Sequence, residues 1–263
     1  MIKHAIYISV LAVFIMVSDA FADHFRVPSV NDGEVRRFKV TRHYSSKKRG
    51  GFTGFMRPEE ITVSFSTKCI WSLKNGGRFL EVERREKKAG GHHRKWNFTF
   101  KSAENFRFER YEMIEHLPDG KIFGREGGRP WVPGGKVPPG VVHPMALAEA
   151  IRGFKFKEGK KWKFLTWVPQ TEEMTQLIAR VDRVDKINLP AGSYRAWRVW
   201  IDVDLEKLLG KWRGLEFFVK PLVPRLIMWF ADTPQSPMIK FRGKFGPGRS
   251  AIIELHELVE MTR

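Results

Sequence analysis

The sequence predicts a mainly β protein: a curved antiparallel sheet or a barrel-like β domain with one short helix. Two observations carry this prediction. Apolar and polar residues alternate in many short segments, and clusters of Gly or Pro separate several of those segments. Alternation with a period of two is typical of strands that bury one face, and short strands bounded by turn residues favour antiparallel sheets over βαβ units. The chain has 263 residues and a hydrophobic fraction of 42%, which is ample for a core.

Each predicted strand rests on its own alternating segment. These segments are Val35–Thr41, Ile61–Trp71, Phe79–Glu83, Trp96–Phe100, Phe106–Met113, Trp162–Trp167, Trp197–Val203 and Ala251–Val259. In the second segment Phe65, Cys69 and Trp71 share one face, so the thiol is expected to point inward. Because Cys69 is the only cysteine, no internal disulfide is expected. We interpret it as a buried structural residue, while a nucleophile or an intermolecular disulfide remain alternatives.

One helix is expected between the strands, over Pro144–Arg152. This stretch is dense in strong helix formers, has Pro in its first turn and meets Gly153 where a helix would end. A weaker helical turn is expected at Leu205–Leu209. The Gly- and Pro-rich stretch Gly124–Gly140 is interpreted as one long surface loop that leads to the helix.

The first 22 residues predict a secretory signal peptide. Lys3 and His4 precede the apolar run Ala5–Val17, and Ala20 and Ala22 are the small residues that a signal peptidase requires, with cleavage before Asp23. The alternative is an uncleaved membrane anchor, but the run is shorter than the ~18 to 20 residues that cross a bilayer. We therefore expect residues 23–263 to form a single β-rich domain with no transmembrane span. The periplasm is the expected location, and secretion or peripheral membrane association are the alternatives.

Positive charge is concentrated in three stretches of the chain. The formal net charge is +18, and the cations cluster in Arg36–Arg49, Arg84–Lys95 and Arg152–Lys163. Such runs are often solvated strand faces that keep sheet edges from aggregating. They also suit an anionic partner, and export makes nucleic acid an unlikely one. Nine side chains are the candidate contacts to an anionic partner: Arg36, Arg37, Lys47, Lys48, Arg49, Arg84, Arg85, Lys160 and Lys161.

No catalytic constellation or cofactor motif stands out in the sequence. His92 and His93 lie beside cations and lack further ligands at zinc spacing, so no metal site is expected. Gly134-Gly135-Lys136 lacks the first glycine and the Ser/Thr of a phosphate-binding loop. No cofactor is expected, and we interpret the chain as a non-enzyme, with a hydrolase of dispersed site as an alternative.

A succession of segments in the second half resembles a family of bacterial exported proteins, domain of unknown function 3108. The segments are His143–Arg152, Phe156–Lys160, Leu189–Val199, Met228–Pro234 and Pro237–Phe241, within a match of about 142–258. The Pro190-Ala-Gly-Ser193 turn that enters a strand, with a short helix ending in Arg152 upstream, carries most of the likeness. The resemblance implies a bacterial envelope location and a curved antiparallel β fold, and it implies no catalytic residues.

Two binding hypotheses follow. In the first, the protein binds or handles an amphipathic, lipid-like envelope component inside a curved sheet. Its candidate apolar contacts are Phe217, Phe218, Leu222, Trp229 and Phe230. In the second, the basic stretches bind an anionic envelope polymer. A hollow apolar interior would favour the first hypothesis and a filled core the second. The oligomeric state stays open.

Overall fold

The structure is a computed structural model that describes residues 26–44, 60–87, 91–102, 106–130, 140–168, 173–205, 225–245 and 252–262. Strands dominate these residues and form one large curved sheet that does not close. Thirteen strands in the described residues follow the order β6-β5-β4-β3-β2-β1-β13-β12-β11-β10-β9-β8-β7. The chain thus runs outwards from β1 to β6 at one edge, resumes at the opposite edge with β7, and returns inwards to β13, which pairs with β1.

The strand bounds follow the chain order. The first six strands are β1 Val35–Tyr44, β2 Glu60–Lys74, β3 Gly77–Lys87, β4 His93–Lys101, β5 Arg107–His116 and β6 Ile122–Gly128. The other seven are β7 Val141–Val142, β8 Lys161–Val168, β9 Glu173–Leu189, β10 Gly192–Val203, β11 Arg225–Ala231, β12 Met238–Phe245 and β13 Ile252–Thr262. Neighbouring strands are antiparallel except β7 and β8, which pair in parallel.

The two ends of the curved sheet approach each other without pairing. Tyr111 of β5 and Trp167 of β8 meet edge to face, with ring centroids 5.8 Å apart. The ring of His143, which follows β7, also packs on the Tyr111 ring, with centroids 4.6 Å apart. Aromatic packing therefore closes this seam where hydrogen bonds do not.

A short helical segment fills the space inside the sheet. A 3-10 turn at Pro144–Ala146 leads into helix α1, Leu147–Ile151, every residue of which is buried. His143 caps the segment, because its Nδ1 accepts a hydrogen bond from the Met145 N–H at 3.1 Å. Gly153 ends it. A Cβ at this position would lie 1.9 Å from the carbonyl oxygen of Arg26, so only glycine allows the two backbones this close.

The core is aromatic on both sides of α1. Phe100 stacks on Phe106 at 4.6 Å on one side, and Phe154 stacks on Trp162 at 4.4 Å on the other. Strand alternation produces this core, since Leu80 and Val82 point inward while Glu81 and Glu83 point outward. Buried side chains and α1 occupy the described interior.

The structure confirms the predicted fold class, the eight alternating strands, the helix after Pro144 and the inward thiol of Cys69. One interpretation was wrong. The first five residues of the stretch taken as a loop, residues 124–128, belong to β6, where the sheet tolerates three glycines on an outer strand. Residues 131–139 of that stretch and most of the turn expected at Leu205–Leu209 lie outside the described residues.

The alternation did not single out β9, β11 and β12 as strands. In β9, Arg180 to Lys186 are mostly charged, so no apolar face is visible in the sequence. Within the described ranges, no helix is long and apolar enough to cross a membrane.

Candidate functional site

The outward face of β2–β6 carries a groove with a cavity volume of about 800 Å³. Strand register builds its floor in rows. One row runs from Glu81 through Thr99 to Arg110, and the next from Glu83 through Asn97 to Glu112 and Gly127. A side chain at Gly127 would begin 3.2 Å from the Tyr111 carbonyl oxygen, so the glycine keeps this corner of the groove open.

Charged side chains dominate the lining of the groove. Its cations are Lys74, Lys95, Arg110, Arg125 and Arg129, and its carboxylates are Glu81, Glu83, Glu112 and Glu126. Lys95 Nζ lies 2.6 Å from Glu83, Arg125 Nε donates to Glu112 at 2.9 Å, and Lys74 pairs with Glu81. The paired carboxylates stay ionised. A hydrogen bond from Lys74 lowers the pKa of Glu81, and one from Arg125 lowers the pKa of Glu112.

Arg110 has a different position in this array. It is exposed, and it makes no hydrogen bond or ion pair with any residue in the ranges that the structure describes. Its charge adds to the fields that lower the pKa values of Glu81 and Glu112. Its guanidinium therefore has donors free for a ligand, and such donors match carboxylates and phosphates in pairs.

Tyr111 connects the groove to the seam of the sheet. Its hydroxyl donates to Glu126 Oε1 at 2.6 Å. Burial raises the pKa of Tyr111, and the charge of Glu126 raises it further. The phenol therefore stays protonated and acts as a hydrogen-bond donor rather than as a base.

A second group of ionisable residues is buried inside the sheet, between β1, β2, β3 and α1. We call Glu34, Arg36, Arg84, Glu149 and Arg152 the ion network. Arg36 Nη2 donates to Glu149 Oε1 at 2.6 Å, and Arg152 holds both Glu34 oxygens, at 2.9 and 3.0 Å, and Glu149 Oε2 at 3.0 Å. Arg36 Nε lies 3.0 Å from Glu34 but is not aligned for a hydrogen bond.

The network fixes the protonation of its members. Burial alone would raise the pKa of Glu149, but Arg36, Arg152 and Arg84 outweigh it and hold that pKa far below its usual range. Cys69 Sγ lies 3.9 Å from Glu149 Oε2, and burial together with this carboxylate raises the pKa of the thiol to about 12. A thiol in this state is not a nucleophile at neutral pH, which suits a structural role.

Arg84 is the weakly held member of the network. Its one contact there is 3.5 Å long, from Nη2 to Glu149 Oε1, and its buried Nε has no hydrogen-bond partner in the described residues. Burial lowers the pKa of Arg84. The network holds three guanidiniums against two carboxylates, so Arg84 is the charge in excess.

The structure divides the predicted anionic-partner contacts into two groups. Arg37, Arg85, Lys160 and Lys161 are exposed, as such contacts require. Arg36 and Arg84 are 0% and 6% exposed, so they do not face an external polymer. The reason is alternation: both point to the inner face, beside exposed Arg37 and Arg85. Lys47, Lys48 and Arg49 lie outside the described residues.

The predicted apolar contacts are only partly described. Phe230 is fully buried and packs on Phe156 with ring centroids 5.1 Å apart. Trp229, its neighbour in β11, is also buried, and its Nε1 donates to Asp185 at 2.9 Å. Phe217, Phe218 and Leu222, like Ala20 and Ala22 of the predicted signal peptide, lie outside the described residues.

Sequence reasoning missed the groove and the network. Arg110 and Glu112 belong to a segment that the alternation had identified, so their outward face was a usable signal. Arg125 and Arg129 lie in the Gly- and Pro-rich segment that predicts a loop, so the sequence does not place them on the face of a strand. Glu149 had a signal too, since it is an acid within an otherwise apolar helix, three residues before Arg152. Among the described residues, no group of His, Cys, Asp or Glu could hold a metal ion.

Comparisons with known proteins give structural neighbours. Neither a model of a protein family nor a curated protein sequence matches the chain, so the likeness to domain of unknown function 3108 stays a prediction. A β-barrel-like protein of domain of unknown function DUF1849 from Brucella abortus is similar with a TM-score of 0.45 and 8% identity, over 90% of this chain and 98% of that chain. A predicted lipoprotein from Parabacteroides distasonis has a TM-score of 0.37 and 8% identity, over 91% and 98%. A predicted exported protein with a YmcC-like fold from Bacteroides fragilis has a TM-score of 0.36 and 8% identity, over 91% and 100%.

Proposed function

We propose that this chain is an exported binding protein that holds an anionic component of the cell envelope in the groove on β2–β6. The observation that carries the proposal is Arg110, a guanidinium without a hydrogen-bond partner among the described residues, in a groove of about 800 Å³. The predicted signal peptide, with cleavage after Ala22, supports an envelope location, and the periplasm is the location we propose.

The lining of the groove suits an acidic or phosphorylated sugar. Arg110 supplies a planar pair of donors for a phosphate or a carboxylate. Thr99 lies beside it in the same cross-strand row, and Asn97 in the next row, so neutral donors and acceptors are available for sugar hydroxyls. The ion pairs on either side hold their side chains in place before a ligand arrives, which lowers the entropy cost of binding.

The alternative of a lipid chain inside the sheet has less support. In the described residues the interior is occupied by α1, by aromatic pairs and by the ion network. Phe230, a candidate lipid contact, is part of this packing. This packing of the described interior favours a ligand on the outer face over a lipid chain inside the sheet.

Titration calorimetry with de-acylated lipopolysaccharide at low salt tests the proposal. This probe presents sugar phosphates without acyl chains. We expect Arg110→Ala to weaken binding by about tenfold or more, because a hydrogen bond to a charged group contributes ~1.5–3 kcal/mol. Arg195→Ala is the matched control. It removes another exposed arginine, from β10 and outside the groove, and should change the affinity less than about twofold.

Two results would contradict the proposal. One is wild-type protein that does not bind the probe, and the other is equal loss of affinity in Arg110→Ala and Arg195→Ala. Neutral dextran serves as the uncharged control ligand. Affinity for the phosphorylated probe should also fall as the ionic strength rises, since exposed charges are screened.

A further inference from the structure

We propose that one end of the sheet docks on an anionic lipid surface, with Ile122 and Phe123 entering the interface. Both side chains are exposed, by 59% and 70%. Other large apolar side chains exposed in the described residues are Val27, Leu73 and Val259, and they lie apart from one another along the chain. In the described residues, Ile122 and Phe123 at the start of β6 are therefore the two large exposed apolar side chains that are adjacent in the chain. The pair lies outside the groove and goes beyond the function proposed above.

Strand register places this pair beside basic residues. A cross-strand row runs from Lys87 of β3 through His93 and His116 to Ile122 of β6. The two imidazoles stack in the middle of the row, with ring centroids 4.6 Å apart. The C-terminal end of β3 and the β5–β6 turn thus lie at the same end of the sheet. We call this end the docking edge.

The charge of the docking edge complements an anionic surface. Lys87 is exposed, and the side chains of Arg85, Lys121 and Arg125 are 61%, 79% and 69% exposed. Within the Arg84–Lys95 stretch, Arg85 and Lys87 face the solvent, whereas Arg84 is buried. Acidic partners offset part of this charge: Asp119 pairs with Lys121 at 3.0 Å, Glu83 with Arg85 at 2.6 Å, and Glu112 with Arg125, which also lines the groove.

Apolar and basic groups at one edge match the layers of a bilayer surface. Phe and Ile side chains enter the boundary between headgroups and acyl chains, while Lys and Arg remain with the headgroups. Each cation near an anionic surface adds attraction, so neither group has to supply the affinity alone. A second copy of the chain suits the edge less well, because a symmetric contact would bring the same cations together.

Vesicle co-sedimentation tests the docking edge. The vesicles contain phosphatidylethanolamine and phosphatidylglycerol, with pure phosphatidylcholine as the neutral control. We expect binding to the anionic vesicles only. The double variant Ile122→Ser/Phe123→Ser should lower the partition coefficient by at least about tenfold. The double variant Arg85→Gln/Lys87→Gln should lower it by about tenfold or more.

Leu73→Ser is the matched control. Leu73 is 82% exposed and lies at the β2–β3 hairpin, at the other end of the sheet. It should bind vesicles as the wild type does. Absence of wild-type binding, equal loss with Leu73→Ser, or no loss in Ile122→Ser/Phe123→Ser would overturn the proposal. The proposal would also be overturned if sedimentation velocity showed a wild-type dimer and the only effect of Ile122→Ser/Phe123→Ser were to convert it to a monomer.

The same variants separate docking from groove binding. Ile122→Ser/Phe123→Ser should bind de-acylated lipopolysaccharide as the wild type does, and Arg110→Ala should still sediment with anionic vesicles. If both variants lost both vesicle binding and binding of de-acylated lipopolysaccharide, the docking edge would not be a site separate from the groove.

Discussion

The two faces of β3 put the same residue types into opposite environments. Arg84 and Arg85 are neighbours in the chain, yet their side chains are 7% and 61% exposed. Arg84 joins the ion network around α1, whereas Arg85 pairs with Glu83 at 2.6 Å on the outer face. A run of cations in a strand therefore divides into buried side chains on the inner face and exposed side chains on the outer face. Only the outward ones are available to a partner.

The charged residues of the inner face therefore contribute to stability, and those of the outer face are available for binding. On the inner face, charges removed from water depend on their partners, so a broken pair leaves a charge that is costly to bury. On the outer face, water and salt screen each pair, and its loss costs little. Substitutions of matched type on the two faces should therefore have very different effects.

Glu149→Gln should have the largest effect on stability. It removes a fully buried carboxylate that neutralises Arg36 and Arg152. We expect the free energy of unfolding to fall by ~3–5 kcal/mol. Glu83→Gln, the outer-face control, should cost less than about 1 kcal/mol. Urea denaturation measures both, and equal losses in the two variants would contradict the contrast between the faces.

Arg36→Met and Arg84→Met sharpen the comparison within the ion network. Arg36 pairs with Glu149 at 2.6 Å and with Glu34 at 3.0 Å, so Arg36→Met should lose at least about 3 kcal/mol. Arg84 is the poorly paired excess charge, and methionine keeps an apolar side chain between Phe65 and Phe98. Arg84→Met should change the free energy of unfolding by less than about 1 kcal/mol or raise it. If the two variants lose equal stability, Arg84 is a full member of the network.

His143 predicts a smaller effect that depends on pH. Burial, together with the charge of Arg84, lowers its pKa to about 3. The unfolded chain, with a histidine pKa near ~6.5, binds the proton more readily, so stability is present above pH ~6.5 and is lost as the pH falls towards the folded value. Acidification from pH 7 to pH 5 should cost about 2 kcal/mol through this residue.

His143→Asn isolates the contribution of the imidazole. Asparagine can still cap the turn at Pro144, so the variant tests the proton rather than the cap. Its free energy of unfolding should vary less between pH 7 and pH 5 than that of the wild type. The same pH dependence in both proteins would show that other groups cause the acid sensitivity.

Much of the fold could be predicted from alternation because one face of each strand is buried. Phe38 and Val40 of β1, and Leu80 and Val82 of β3, lie two positions apart and are all buried. The alternation does not predict strands that lack this contrast. β9 is mostly charged from Arg180 to Lys186, and β6 is an outer strand rich in glycine, where composition indicates a loop.

The candidate site was less predictable because it depends on register across strands. Arg110 is near residue 81 only because β3, β4 and β5 pair as they do. The ion network likewise joins residue 34, just before β1, to residue 152, just after α1. Charge clusters in the sequence indicate Arg36 and Arg84 as contacts to an external partner. Both lie on the inner face of their strands, however, so they pair with Glu149 in the interior.

An amide NMR titration with de-acylated lipopolysaccharide tests the central claim most directly. We expect shifts to concentrate in β3–β6, at residues around Asn97, Thr99 and Arg110, while β10–β12 stay unchanged. Shifts confined to β10–β12, or none at saturating probe, would contradict a binding site on the outer face of β2–β6.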